Sequence, residues 1–143
     1  MQPANVISFR IQNLAALLHK TSDRVLQKKL GIGMSQFKIL VAVQSNRQLL
    51  QRHIALSLNQ TEASISRQVK LLHRKQLLVT RLNPKDHRQH ITTLAPKGQR
   101  LITTALEILE AFQSQFLVGL PKHQQTELLK SLENIEQHIL PSI

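Results

Sequence analysis

Between Thr61 and Lys75 the chain sets Ala63, Arg67, Lys70 and Arg74 within one sector of a helix, opposite a stripe of Ile65, Val69 and Leu72. An Arg guanidinium is a planar fork that matches the major-groove edge of guanine, and a Lys ammonium is a point charge suited to phosphate. The small side chains of Thr61, Ala63, Ser64 and Ser66 near the helix start let backbone and bases come close. A second cationic group, Lys85, His87 and Arg88, falls in and beside the turn-forming run Asn83-Pro84-Lys85-Asp86-His87. Arg88 suits insertion into a narrow minor groove and Lys85 suits contact with phosphate. Phosphate would repel Asp86, which is therefore expected to turn inward and pair with Arg81, holding the tip in shape. Taken singly, each set reads equally well as the solvated face of a surface element. Together they describe two contact surfaces for double-stranded DNA.

The charge balance agrees. The 143-residue chain holds 19 Lys and Arg against 8 Asp and Glu, a formal net charge of +11 with His neutral. Residues 1–46 carry six basic and one acidic side chain, residues 47–100 eleven and two, and residues 101–143 two and five. A positive field concentrated in the middle of a chain attracts polyanions, with nucleic acid the leading partner and an anionic membrane surface the second.

Composition removes several alternatives. The absence of Cys excludes disulfides, thiolate metal sites, Cys nucleophiles and thiol-based peroxide sensing. Four Phe without Trp or Tyr are too few to furnish both a core and a stacking platform for single strands. Ser, His and Asp occur without a nucleophile elbow, a Gly-rich phosphate loop or paired carboxylates in recognisable context, so neither an enzyme nor a cofactor is expected. His87 and His90 lie close in sequence but lack a Cys or a second acid beyond Asp86, so they read as solvated or phosphate-facing rather than metal-binding. With no signal-peptide run and no apolar stretch of bilayer length, a soluble intracellular protein without a membrane partner is expected.

These side chains need elements to hold them. Apolar residues from Val6 to Val25 recur near the helical period, predicting one long helix from Ala4 to about Lys29 that stops at Gly31-Ile32-Gly33. Ser35 is read as the N-cap of a second, largely buried helix reaching Ser45. A short helix follows over Leu50–Leu58, and Thr61 caps the helix bearing the cationic face. Leu77–Leu82 and Arg88–Leu94 read as a two-stranded hairpin. Pro96 opens a helix to about Leu117, and Leu128, Leu132, Ile135 and Ile139 mark an amphipathic terminal helix. The fold class is mainly α with a small β-hairpin: a winged helix-turn-helix over residues 34–95 of a single 143-residue domain, flanked by long terminal helices.

At this level of detail the chain resembles the MarR (multiple-antibiotic-resistance regulator) family of winged-helix transcriptional regulators. Ile54-Ala55-x-x-Leu58 resembles the first helix of the family's helix-turn-helix, Thr61-x-Ala63-Ser64-Ile65-Ser66-Arg67-x-Val69 its recognition helix, and Leu77-Leu78-x-x-Arg81 its first wing strand. Asp86-x-Arg88 with Ile91, Leu94, Gly98 and Leu101 is similar to the wing and linker signature. The resemblance implies a cytoplasmic bacterial regulator, most often a repressor, bound to the nucleoid when on DNA. It also implies an obligate homodimer joined through residues 1–33 and 96–143, with two recognition helices entering successive major grooves of a palindromic operator. The terminal stripes are longer than a small winged domain can cover, which a two-fold dimer would bury, although packing on each other within one chain would also bury them. The family often releases DNA when a small aromatic anion enters the crevice between dimer helices and winged domain. His19, Met34 and Phe37 are the candidates facing that crevice, with Met34 and Phe37 reading equally as core. A non-specific nucleoid-associated or architectural protein would use the same charge without base readout.

Four positions depart from the family pattern. Lys70 stands where an acid commonly pairs with the wing arginine, and Leu71 replaces a frequent basic residue. Gln76 stands where Gly is usual, so the recognition helix is expected to end on a strained residue or to fray. Ala95 stands where a Thr usually caps the next helix.

Overall fold

In the computed structural model, which describes residues 2–46 and 49–140, the chain begins with α1 (Pro3–Leu30), closed by Gly31 in the left-handed region at φ +67°. There follow α2 (Met34–Ser45), β1 (Leu49–Leu50), α3 (Gln51–Ser57), α4 (Glu62–Arg74), β2 (Leu78–Asn83), β3 (Asp86–Leu94) and α5 (Pro96–Ser114). A 3-10 turn (Gln115–Leu117) and α6 (Lys122–Ile139) complete it. The chain divides into two units, residues 1–109 and 110–143.

The first unit is built around one apolar cluster. Ile65, Val69 and Leu72, the inward stripe of α4, meet Ile39, Leu40 and Val43 of α2, Ile54 of α3, and Ile102 and Ala105 of α5 in it. The fourfold and threefold spacings of these residues put them on single helix faces, so burial of the stripe and exposure of the opposite face are one event. Only Ser22 and Leu26 of α1 are buried, and Val6, Phe9, Leu14 and Leu17 stay exposed. In the second unit Phe112 and Phe116 meet edge to face with centroids 4.8 Å apart. Gln125 donates through Nε2 to the Leu120 carbonyl at 2.8 Å, closing the turn that precedes α6.

Two local expectations give way. Ser35 does not cap α2: it lies inside the helix, whose N-cap is Gly33. The orphan N–H of Met34 is satisfied instead by Asp23 Oδ1 of α1 at 2.8 Å, and the Asp23 carboxylate fills the space a Cβ on Gly33 would need. The sheet has three strands rather than two, in the order β1-β3-β2, with Leu49 opposite Thr92 and Leu50 opposite Ile91. β1 thereby fixes the start of α3 against the hairpin.

The expectation at Gln76 is met. α4 ends in a turn in which Leu77 N donates to Leu72 O at 3.0 Å and Gln76 N to His73 O at 2.9 Å, with Gln76 at φ +61°. A side chain in the left-handed region costs about 1–2 kcal/mol. Gln76→Gly should therefore raise the denaturant midpoint with an unchanged m-value, by an amount equivalent to about 1 kcal/mol; an equal or lower midpoint would show that the Gln76 side chain offsets its backbone strain.

Candidate nucleic-acid interface

α4 presents its cationic sector as the spacing requires. Thr61, Ala63, Arg67, Lys70 and Arg74 are exposed and Ser64 and Ser66 half-buried, while Ile65, Val69 and Leu72 are buried beneath them. Leu71 is 39% exposed, the large apolar side chain on this face. Thr61 Oγ1 accepts from Ser64 N at 3.2 Å, a cap worth about 1 kcal/mol that leaves the remaining first-turn N–H groups pointing outward. The helix is pinned from behind by Gln36 of α2, whose Nε2 donates to Gln68 Oε1 at 3.0 Å. Nothing local in the sequence announces that bond between residues 32 positions apart.

At the wing, Asn83 and Asp86 are Cα partners across the tip, so only Pro84 and Lys85 form the loop. Lys85, His87 and Arg88 are exposed there. The expected Asp86–Arg81 ion pair is not formed. Asp86 Oδ1 accepts instead from Arg88 N at 3.0 Å, as Asn83 Oδ1 accepts from Lys85 N at 3.0 Å, so two successive Asx turns shape the tip. A backbone N–H two residues away is a nearer and better-oriented donor than a guanidinium on the opposite strand. Asn83 Nδ2 donates to Gln89 Oε1 at 3.2 Å and closes the base of the tip.

Arg88 also lines a crevice of about 160 Å³ with Arg52 of α3 and Glu62 of α4. Arg52 thus joins the cationic surface, a residue the motif spacing did not single out because it lies on the preceding helix. Among the described residues no group of three His, Cys, Asp or Glu is arranged to hold a metal ion.

The sequence candidates for an effector divide. Met34 and Phe37 line a cleft of about 640 Å³ between α2, β1 and α3, where Lys38 and His53 are its titratable groups. His19, on the exposed surface of α1, is not in its lining. Among the described residues no helix is long and apolar enough to cross a membrane.

Residues 30–89 match the sequence model described as the MarR family. No curated protein matches the chain in sequence. Among solved structures, a MarR family transcriptional regulator from Rhodococcus sp. RHA1 is similar at 19% identity and a TM-score of 0.79, covering 94% of this chain and 95% of that one. A variant of S. aureus MepR bound to an oligodeoxyribonucleotide is similar at 20% identity and a TM-score of 0.63, over 93% and 97% of the two chains. CouR from Rhodococcus jostii RHA1, bound to p-coumaroyl-CoA, is similar at 19% identity and a TM-score of 0.72, over 90% of each chain. These likenesses establish the fold over nearly the whole length.

If Arg88 neutralises a phosphate, Arg88→Ala will weaken duplex binding and lower the slope of log affinity against log salt by about one unit. The check is a binding titration across salt concentrations; unchanged slope and affinity would remove Arg88 from the contact surface.

Proposed function

We propose that the protein is a winged-helix regulator of the MarR type, whose family model matches residues 30–89: a homodimeric, sequence-specific DNA-binding transcriptional regulator, a repressor at a palindromic operator. The observation that carries this reading is the exposed face of α4, where Arg67, Lys70 and Arg74 stand beside small side chains and no acid among them neutralises the charge. Arg67 reads a guanine through its fork, Thr61, Ser64 and Ser66 admit the phosphates, and Ala63 leaves room for a base edge. Lys70, Arg74 and the wing residues Lys85, His87 and Arg88 hold the backbone, with Asp86 shaping the tip. The MepR complex with an oligodeoxyribonucleotide supports this class of partner for the fold.

Surface left uncovered in one chain supports dimerisation. Val6, Phe9, Leu14 and Leu17 of α1, and Leu128, Leu129 and Ile139 of α6, are each at least 40% exposed. A second copy burying residues 1–33 and 96–143 removes them from water and spaces two recognition helices about 34 Å apart, the separation of successive major grooves. The cleft lined by Met34 and Phe37 is apolar with Lys38 and His53 in its wall, which suits a small aromatic anion whose binding releases DNA. The CouR structure with p-coumaroyl-CoA lends support to an aromatic ligand for this fold.

Sedimentation should report a dimer, and the protein should bind DNA upstream of its own coding region at least about 10³-fold tighter than random duplex. Arg67→Ala should lose about 1–3 kcal/mol at one position of each half-site. A monomer, or a preference ratio near one, would overturn the reading in favour of an architectural protein; an equal loss on every sequence would restrict Arg67 to the DNA backbone.

A further inference from the structure

The end of α4 is tied to two other helices by lysines that lie outside its cationic sector. Lys75 Nζ donates to the Gly31 carbonyl at the end of α1, and Lys97 Nζ, from the first turn of α5, donates to the Lys75 carbonyl at 3.1 Å. Each ammonium thus caps the C-terminus of a helix other than its own, where unpaired carbonyls and the negative end of the helix dipole favour a cation. α2 packs against both α1 and α4, and Lys75 adds a direct span between the ends of those two helices. Gly31 and Gln76, both left-handed, stop α1 and α4 sharply, so the span joins defined points of the backbone. The setting of α4 against α1 and α5 matters to a dimer built on residues 1–33 and 96–143. Two-fold symmetry doubles any displacement of α4, so about 1.7 Å in each copy alters the separation of the recognition helices by about one base-pair step.

We propose that Lys75 and Lys97 are positioning residues, which hold the recognition helix at one setting against α1 and α5 and thereby fix the half-site spacing that the dimer accepts. The consequence for spacing rests on the dimeric DNA-binding reading above; the tethering of α4 within one chain does not. Lys75 and Lys97 engage carbonyls of their own chain and act without touching DNA, unlike Arg67, which selects a base. Spacing is then specified by residues that read neither a base edge nor a phosphate.

The test has two readouts on the full chain. Because the sequence contains no Cys, nitroxide labels at Arg24→Cys on α1 and Glu62→Cys on α4, both exposed positions, report the setting of α4 without DNA. Electron–electron double resonance, with labelled protein diluted into unlabelled protein, reads the distance within one chain. Lys75→Met, which keeps the stem and removes the donors, should broaden that distribution, and Lys75→Arg should restore it. In unlabelled protein, the preference for the selected operator over the same half-sites moved one base pair apart should fall about tenfold in Lys75→Met, the scale of one lost hydrogen bond from a charged donor. Lys75→Arg should keep the preference, and the salt slope should stay unchanged because no phosphate contact is lost. Lys97→Met, which breaks the other bond, should act in the same direction and keeps the test decisive should Lys75→Met fold poorly. An unbroadened distribution would overturn the proposal. So would a slope lower by about one unit with spacing preference intact, which would make Lys75 a phosphate contact, or a lower thermal midpoint alone, which would reduce the lysines to stabilising the fold. Broadened distances in a protein that binds no duplex would uphold the positioning of α4 and count only against the DNA-binding reading.

Discussion

The backbone of Leu77 is the joint on which the winged helix depends. Its N–H closes α4 through Leu72 O, and its carbonyl accepts from Ala95 N at 3.1 Å, where β3 hands over to α5. A Cβ on Gly98 would lie 2.2 Å from that same carbonyl, so α5 approaches the joint only because residue 98 has no side chain. Lys75 Nζ donates to the Gly31 carbonyl at the end of α1, and Lys97 Nζ donates to Lys75 O at 3.1 Å. Three helix ends and the first wing strand thus meet within one short stretch of chain. The left-handed turn at Gln76 is the strain that this convergence imposes.

Because the joint is made of backbone hydrogen bonds, buried Leu77 and Leu78 and the two lysines Lys75 and Lys97, the exposed Arg67, Lys70 and Arg74 of α4 need no part in holding the fold. Their charges remain available to a ligand. Polar side chains that do hold the frame, Gln36 with Gln68 and Asp23 at the start of α2, lie behind the contact face rather than on it. The division explains how so basic a segment folds without a matching set of acids: apolar burial supplies the cohesion, and the surface carries unneutralised charge at the modest cost of repulsion in high dielectric.

What was legible in the sequence was whatever repeats at a local period or sits at a chain punctuation. The inward stripe of Ile65, Val69 and Leu72, the cap at Thr61, the stop at Gly31 and the helix opening at Pro96 are all of that kind. β1 was not, since two residues carry no periodicity and Leu49–Leu50 become a strand only by pairing with Thr92 and Ile91. Ser35 satisfied the composition rule for a cap, yet the helix opens at Met34, whose N–H is taken by Asp23, eleven residues earlier, across a packing contact, while Phe37 N donates to Gly33 O. The charge on Asp86 suggested a cation as partner because sequence reveals charges readily and the direction of backbone N–H groups hardly at all. A crevice behind the wing draws on residues from four elements, α3, α4, β2 and β3, so no motif window contains it.

The double Asx turn at the wing has a consequence for how the molecule responds to its medium. A tip braced by Arg81 and Asp86 would loosen as electrolyte screened the pair. Bonds from Asn83 and Asp86 to N–H groups two residues onward are too short to be weakened much in this way. The prong therefore keeps its outline from dilute buffer to brine, and ionic strength changes only the cloud of counterions around it.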